Sequence, residues 1–310
     1  MLSYLHGFHA GNHADILKHI VLNYTAEYYS KKDKPYTVFD THSGSGLYDL
    51  SDERAVKTGE ASRGILRLQD YLKNPEKYSS FCTAPFPAEL KHFTESKILN
   101  LTELLSFYPG SPLIEAKNSM EGCNLFFTEL HKAEYESLKK ALSGTFPGKV
   151  FVENTDGFSF LKKNTPPAIK RGYILCDPSY EEKSDYINAA EILAAVHKKW
   201  SGAGILLWYP LLQNKLEYIE NMKQFLLAAV KNKNQNAEVL DAELCIDKED
   251  SHVEVSLQES IGSAKPRLYG SGMFVINPCW GLKDYLEATL PFLSELLSAD
   301  GNGSWKLNFY

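Results

Sequence analysis

The segment Asp177-Pro-Ser-Tyr180, which follows an apolar run at residues 172–176, combines three groups suited to one reaction. The exocyclic amine of adenine is a poor nucleophile because its lone pair is delocalised into the ring. The Asp177 carboxylate and the Pro178 carbonyl can accept its two N–H bonds, which favours a tetrahedral nitrogen aimed at an electrophile. Tyr180 can stack on a base taken out of its stack. The alternative is a strand-ending turn, in which Asp-Pro pairs are common.

Polar residues and glycines also follow three other apolar runs. They are His42, Gly44 and Gly46 after residues 36–40, Glu129 at the end of the run 124–130, and Asp156 with Gly157 after residues 149–153. Each alone has a structural explanation, such as a turn, a solvated carboxylate or a helix N-cap. Ligands of open α/β sheets bind at the carboxyl ends of the strands, so four successive ends of this kind favour a ligand site.

The glycine segment distinguishes two classes of nucleotide cofactor. A dinucleotide site requires Gly-x-Gly-x-x-Gly, but Asp49 occupies the third glycine position, and its carboxylate would repel a pyrophosphate. S-adenosylmethionine has no phosphate next to its adenosine and carries a cationic sulfonium. The spacing Asp40-x-x-x-Gly44-x-Gly46 permits close backbone approach without an anion site, so a methyl donor is favoured over NAD.

Strand and helix patterns alternate through most of the chain and predict an α/β fold with a mostly parallel sheet. Seven strands are predicted, at residues 36–40, 124–130, 149–153, 172–177, 204–209, 237–246 and 272–277. Helices are predicted at residues 11–30, 132–142, 158–163, 184–199, 212–232 and 282–297. Only a loop separates the last two strands, so we expect an antiparallel pair to close the sheet.

Residues 49–108 fall outside this series and predict a small helical insertion. In nucleoside-binding folds of this type an acid follows the glycine turn after about 20 residues and binds the ribose. Here Glu129 lies 83 residues after Gly46. We therefore expect residues 1–48 and 109–310 to form the main domain and residues 49–108 to form an inserted subdomain.

Composition limits the class of protein. The 310 residues carry a net charge of −6, which argues against binding nucleic acid by bulk charge but leaves room for a local basic patch. Five cysteines without a CxxC pair indicate reduced thiols and a cytoplasmic location. No signal peptide is expected, and the longest apolar stretch, at residues 205–212, is too short to span a bilayer.

Several motifs together resemble a known family. Asp177-Pro-Ser-Tyr180 resembles the (Asn/Asp/Ser)-Pro-Pro-(Tyr/Phe) signature of amino methyltransferases, with Ser179 at the second proline; we expect this to change stiffness rather than chemistry. The further motifs that carry a resemblance are Met1-Leu-Ser-Tyr4, His9-Ala-Gly-Asn-His-Ala-Asp15, Leu17-Lys-His19, Asp40-Thr-His42-x-Gly-x-Gly46, Tyr108-Pro-Gly-Ser-Pro112, Thr128-Glu-Leu-His131, Asp156-Gly-Phe158, Leu207-Trp-Tyr-Pro210 and Ser271-Gly-Met273. With these motifs the whole chain resembles the RlmJ family of bacterial 23S rRNA (adenine-2030-N6)-methyltransferases.

The resemblance implies a Rossmann-like class I methyltransferase that binds S-adenosylmethionine and methylates adenine N6 in 23S rRNA. Positions that match the family's ligand-binding residues are His19, His42, Ser111, Glu129, Asp156, Gly157 and Asp177. Asp177 matches the catalytic acceptor, beside which we place Pro178 and Tyr180, and Tyr4 matches an RNA contact. The residue types agree with these roles: Glu129 suits a ribose diol, Asp156 and Gly157 suit an adenine edge, and Gly44 suits close approach to the cofactor.

RNA contacts are expected at local basic residues. Arg63 and Arg67 lie four residues apart in the insertion, and Lys265 and Arg267 lie in the loop between the last two strands. We predict that these four bind phosphates, although an ordinary solvated face would contain the same residues. Lys18 and His19 point about 100° apart on a helix, so Lys18 is expected to meet substrate and His19 the cofactor.

Two further interpretations stay open at the level of sequence. The same acceptor motif serves DNA adenine-N6 methyltransferases, and a non-catalytic RNA-binding module could retain the fold. No metal is expected, because His6, His9 and His13 are accompanied by neither HExxH nor paired cysteines. We expect a monomer that acts on 23S rRNA before full ribosome assembly.

Overall fold

The computed structural model describes residues 6–96, 98–101, 103, 105–247 and 268–310. Its strands are β1 (Thr37–Asp40), β2 (Leu47–Asp49), β3 (Phe107–Pro109), β4 (Asn124–Thr128), β5 (Lys149–Glu153), β6 (Gly172–Cys176), β7 (Gly204–Leu211), β8 (Val239–Cys245), β9 (Gly270–Ile276) and β10 (Ser304–Phe309). Its α-helices are α1 (His13–Ser30), α2 (Glu53–Thr58), α3 (Ile65–Lys73), α4 (Lys91–Thr94), α5 (Ser111–Asn118), α6 (Lys132–Ala141), α7 (Gly157–Asn164), α8 (Lys183–Lys199), α9 (Leu216–Lys233) and α10 (Leu282–Leu297).

The main sheet has the order β10-β8-β9-β7-β6-β1-β4-β5. Strands β5, β4, β1, β6 and β7 are parallel, and β9 runs antiparallel to both β7 and β8. The α/β prediction and the antiparallel closing pair are confirmed. The prediction of seven strands is wrong, because within the described residues the sheet contains an eighth, β10, which pairs antiparallel with β8 along its outer edge.

Helices cover both faces of the sheet, and alternate residues of β6 enter different cores. Tyr173 and Leu175 pack in the cluster that contains α1 and α10, whereas Ile174 and Cys176 pack in the cluster that contains α8 and α9. All five residues of β6 are buried. A central parallel strand covered on both faces requires this continuous apolar run, and its carboxyl end delivers Asp177 to the edge of the sheet.

Helix α1 precedes the sheet and begins at a side-chain cap. The Asn12 side chain accepts a hydrogen bond from the backbone N–H of Asp15 at 3.0 Å. Isoleucine and leucine side chains along the helix enter the same core as Tyr173. This packing places the polar residues Asp15, Lys18 and His19 of α1 below the carboxyl end of the sheet, where all three are buried.

Residues between β2 and β3 form short helices, among them α2, α3 and α4. Strands β2 and β3 pair with each other, so the two ends of this segment meet. Ile65, Leu68 and Phe93 from the segment are buried in the same cluster as α1. The boundaries of the inserted subdomain stay a prediction. No helix in the described ranges is long and apolar enough to cross a bilayer.

Candidate functional site

A cavity of about 290 Å³ opens at the carboxyl ends of the parallel strands. Its wall includes every residue predicted to bind the cofactor, together with Pro178 and Lys18. The predicted cofactor residues are His19, His42, Gly44, Ser111, Glu129, Asp156, Gly157 and Asp177. They come from six separate parts of the chain, so the topology gathers them; their individual roles stay predictions.

The floor beneath the glycine turn is built around Asp40, the last residue of β1. The hydroxyl of Ser111 donates to one Asp40 oxygen at 2.7 Å, and the backbone N–H of His42 donates to the other at 3.2 Å. Burial raises the pKa of Asp40 to about 7, although the Ser111 hydrogen bond opposes the shift. Asp40 thereby ties the turn after β1 to the first residue of α5.

Glu129 fixes the turn after β1 from the neighbouring strand. One of its carboxylate oxygens accepts the backbone N–H of Gly44 at 2.9 Å, and the other accepts the backbone N–H of His131 at 2.7 Å. Burial raises the pKa of Glu129 above its ordinary value, although both backbone hydrogen bonds oppose the shift. Gly44 has φ +58, and an added Cβ would lie 2.2 Å from the hydroxyl of Tyr48, so this position requires glycine.

Asp156 and Gly157 begin α7 at the next strand end. The Asp156 side chain is the N-cap and accepts the backbone N–H of Ser159 at 2.7 Å. A Cβ added to Gly157 would lie 1.9 Å from the carbonyl oxygen of Thr41. The absence of a side chain therefore allows the start of α7 to approach the end of β1, and the backbone of both segments borders the cavity.

His19 contributes a buried nitrogen that has no partner in the structure. Its Nδ1 is 2.7 Å from the hydroxyl of Tyr108, whose ring stacks on the imidazole, but its Nε2 makes no hydrogen bond. Burial lowers the pKa of His19 to about 3 and that of His42 to about 4, so both rings are neutral at physiological pH. An unsatisfied buried nitrogen on a cavity wall is suited to a polar ligand.

Asp177 lies on the cavity wall in a charged triad with Asp15 and Lys18. The Lys18 ammonium is 2.6 Å from Asp177 and 2.9 Å from Asp15, and the Lys18 side chain is only 6% exposed. Burial alone would lower the pKa of Lys18, but the two carboxylates outweigh burial and raise it. Burial would likewise raise the pKa of Asp15, but His6 and Lys18 hold it well below its ordinary value. Lys18 is thus engaged by carboxylates inside the protein, and its predicted RNA contact stays untested.

Tyr180 lies behind the cavity wall rather than on it. The residue is 3% exposed, has φ +53 and packs against Tyr186 with ring centroids 4.5 Å apart. Its hydroxyl donates to the carbonyl oxygen of Trp208 at 2.7 Å. The structure therefore does not bring the Tyr180 ring together with Asp177 and Pro178 as an exposed stacking surface, and the stacking role stays a prediction.

Trp208 is a cavity residue to which the sequence analysis gave no role. It lies near the carboxyl end of β7 and is the one residue of that strand that is not fully buried. Its indole N–H has no hydrogen-bond partner in the structure. The position of Trp208 in the sheet indicates its importance. Leu207 of β7 pairs with Cys176 of β6, and the residues that follow them are Trp208 and Asp177.

The residues predicted to contact RNA differ in their surroundings. Arg63 is exposed at the end of a short 3-10 turn, and a break at Gly64 separates it from Arg67 in α3. The Arg67 guanidinium lies over the rings of Tyr78 and Phe81, at 5.7 and 5.1 Å. Tyr4, Lys265 and Arg267 lie outside the described residues.

The histidines near the N-terminus face carboxylates. His6 is 2.9 Å from Asp15, and His9 is 2.8 Å from Glu60. Burial alone would lower the pKa of His9, but Glu60 outweighs it and raises the pKa. In the part of the chain that the structure describes, no three His, Cys, Asp or Glu side chains are grouped as metal ligands would be.

Comparison with known proteins identifies close relatives. The family model described as "Ribosomal RNA large subunit methyltransferase D, RlmJ" matches residues 33–310. A relative from Escherichia coli (strain K12), named Ribosomal RNA large subunit methyltransferase J, is 36% identical over 98% of this chain and 96% of its own. A relative of the same name from Haemophilus influenzae is 34% identical over 100% of this chain and 99% of its own. The crystal structure of protein LPL1258 from Legionella pneumophila has a TM-score of 0.73 and 30% identity, and the match covers 97% of this chain and 98% of that one.

Proposed function

The chain belongs to the RlmJ family, and from that premise we propose that it transfers a methyl group from S-adenosylmethionine to the N6 amine of an adenine in 23S rRNA. The observation that carries the proposal is the shared cavity. Asp177 and Pro178, the amine acceptors, line the same 290 Å³ space as the predicted cofactor residues. The nucleotide is assigned to position 2030 by family resemblance alone.

The residues of the cavity suit S-adenosylmethionine. When bound, this cofactor supplies an electrophilic methyl group on a cationic sulfur. We assign the ribose hydroxyls to Glu129, and the adenine edge to the backbone beside Gly157 and the carboxylate of Asp156, because all three residues line the cavity. The unpartnered Nε2 of His19 offers a further polar contact. Neutral His19 and His42 do not add positive charge that would repel the sulfonium.

Asp177 and Pro178 prepare the attacking nitrogen. The Asp177 carboxylate and the Pro178 carbonyl accept the two N–H bonds of the adenine amine, which aims the nitrogen lone pair toward the electrophile. As the nitrogen becomes cationic, the Asp177 carboxylate stabilises the charge and helps to remove the proton. Lys18 holds one oxygen of this carboxylate at 2.6 Å and thereby orients the group before substrate arrives.

The relatives named as ribosomal RNA methyltransferases support an rRNA substrate for this chain. A protein that modifies 23S rRNA is expected in the cytoplasm, where that RNA is made and assembled. We further propose that the protein acts as a monomer and that it acts before ribosome assembly is complete. An adenine enclosed by ribosomal proteins could not reach Asp177 on the cavity wall.

A methyl-transfer assay tests the proposal. The purified protein is incubated with radiolabelled S-adenosylmethionine and protein-free, unmodified 23S rRNA fragments, and the product is analysed as nucleosides. We expect N6-methyladenosine from the wild type and a loss of at least about 100-fold in kcat for Asp177→Ala, with cofactor affinity still measurable by calorimetry. Asp33→Ala, at an exposed site, is the matched control.

Three results would contradict parts of the proposal. Turnover by Asp177→Ala within tenfold of wild type removes Asp177 from its role. Transfer to duplex DNA in preference to RNA supports a DNA methyltransferase instead. Cofactor binding without transfer to either nucleic acid supports a non-catalytic module.

A further inference from the structure

The wall around Asp177 requires a contact for the base that Tyr180 does not provide. A base whose amine reaches Asp177 has left its own stack and loses base–base contact, so it needs a protein side chain beside it. Tyr180 is 3% exposed, and its hydroxyl is committed to the carbonyl oxygen of Trp208. In this geometry Tyr180 supports the backbone of β7 from behind.

Trp208 occupies the position that such a side chain needs. The parallel register pairs Cys176 with Leu207, so the next residues, Asp177 and Trp208, emerge side by side at the cavity. The Lys18 ammonium that holds Asp177 at 2.6 Å also lies 6.0 Å from the centre of the Trp208 ring. The indole and the acceptor carboxylate therefore share one cation and one part of the wall.

Among the residues that the structure describes, none accepts a hydrogen bond from the indole N–H of Trp208. Tryptophan is a donor only, and a buried indole N–H nearly always finds an acceptor. Its backbone is held by the pairing of Trp208 with Met273 of β9 and by the Tyr180 hydroxyl, which donates to its carbonyl oxygen. An unsatisfied donor held this firmly beside the acceptor motif indicates a ligand acceptor that arrives with the substrate.

We propose that Trp208 is a substrate-contacting residue whose indole packs edge-on against the target base, so that its N–H donates to an acceptor nitrogen in the plane of the adenine ring. This inference rests on the proposed function and assigns the recognition of the base within it. Asp177 and Pro178 hold the amine, which cytosine also has, whereas a donor to a ring nitrogen adds a second point of recognition. Tyr180 acts through Trp208 as a positioning residue.

Steady-state kinetics on Trp208→Phe and Trp208→Leu test the two parts of the contact. Phenylalanine keeps an aromatic ring and removes the N–H, so we expect kcat/KM for the RNA fragment to fall about 3- to 10-fold. Leucine removes both the N–H and the aromatic contact, so we expect a fall of at least about tenfold. Trp280→Leu is the matched control, because Trp280 is 82% exposed and follows β9 near the amino ends of the parallel strands.

Modified RNA identifies the hydrogen bond. Fragments carry 1-deaza-, 3-deaza- or 7-deazaadenosine at the target, so that one ring nitrogen is lost in each. We expect one analogue to lower wild-type kcat/KM about 3- to 10-fold and to have no further effect in Trp208→Phe. Equal penalties in both enzymes for every analogue overturn the hydrogen bond, and a Trp208→Leu enzyme within twofold of wild type overturns the contact.

The proposal can also fail or succeed separately from the proposed function. Adenosine 5′-monophosphate is titrated into the protein with S-adenosylmethionine present, and tryptophan fluorescence is followed. We expect quenching in the wild type and in Trp280→Leu, and its loss in Trp208→Phe. Quenching that persists in Trp208→Phe overturns the contact whether or not any RNA is methylated, whereas absent methylation with Trp208-dependent quenching refutes only the proposed reaction.

Discussion

Replacement of Lys18 by methionine tests whether the triad on the cavity wall serves both stability and catalysis. The substitution removes the cation between Asp15 and Asp177 but keeps most of the side-chain volume. The side chains of Lys18, Asp15 and Asp177 are 6%, 2% and 14% exposed, so solvent screens the charges little. Removing one partner of a buried ion pair costs about 3–5 kcal/mol, because a buried charge is left uncompensated.

The structure indicates the lower end of this range for Lys18→Met. Asp15 keeps two other donors, the backbone N–H of Gly11 at 2.8 Å and the imidazole of His6 at 2.9 Å. We therefore expect the free energy of unfolding, measured in urea at pH 7, to fall by about 3 kcal/mol. Methyl transfer, measured where the variant is still folded, should fall by at least about tenfold, since the Asp177 carboxylate loses the group that orients it.

Lys223, a partly buried lysine that also pairs with two carboxylates, provides a matched control. Its ammonium is 2.9 Å from Asp241 and 3.1 Å from Glu243, its side chain is 13% exposed, and it does not line the cavity. Lys223→Met should lower stability by a similar amount and leave kcat unchanged. A loss below about 1 kcal/mol in Lys18→Met, or equal losses of kcat in the two variants, would refute the reasoning.

The pH dependence gives a separate check on the triad. The folded-state pKa of Asp15 is depressed, so its stabilising contribution is present above the unfolded pKa of about 3.9 and is lost as the pH falls through the folded value. The pKa of Lys18 is raised, so its contribution is complete at all pH values below about 10.4. The difference in stability between wild type and Lys18→Met should be constant from pH 6 to 9 and should shrink below about pH 4.

Two further predictions concern the cavity floor. Gly157→Ala should lower cofactor affinity by at least about tenfold and destabilise the fold, because its Cβ would lie 1.9 Å from the carbonyl oxygen of Thr41. Calorimetry measures the affinity and urea unfolding measures the stability. Gly202→Ala is the control, because its Cβ would meet no described atom within 4 Å. Asp40→Asn should remove a pH dependence of stability. Because the folded pKa of Asp40 is about 7, the free energy of unfolding of the wild type should fall by about 1.4 kcal/mol per pH unit between about pH 4 and 7. In urea unfolding from pH 5 to 8 the variant should therefore gain stability relative to wild type, and parallel curves would contradict the assignment.

The central strands of the parallel sheet could be predicted because they are buried on both faces. Such strands are short, continuous apolar runs, and β6, all of whose residues are buried, begins at Gly172 as predicted. Strand β10 was missed because it lies at an exposed edge and has no such run. Its signal is the alternation of Trp305, Leu307 and Phe309 with polar residues, which is typical of a strand with one covered face.

The position of the site at the carboxyl ends of the parallel strands could also be predicted, because parallel strands end on the same side of a sheet. The hydrogen-bond and ionic partners of each side chain could not be predicted. Lys18 reaches Asp177 across 159 residues of sequence, and this contact depends on how α1 packs under β6. The burial of Tyr180 likewise follows from the packing of α8, whose Tyr186 ring covers it. Neither contact leaves a local pattern in the sequence.

The cavity wall is negatively charged, which suits the cationic sulfonium of the cofactor but not the phosphates of the RNA. The wall has the carboxylates of Glu129, Glu134, Asp156, Asp177, Glu181, Glu182 and Asp185, whereas Lys18 is the only lysine or arginine of the wall among the described residues. An acidic cavity attracts a cationic sulfonium and repels phosphate. The target base must therefore enter without its backbone, which requires base flipping, and the phosphates of the RNA must be bound by basic residues beyond the cavity wall.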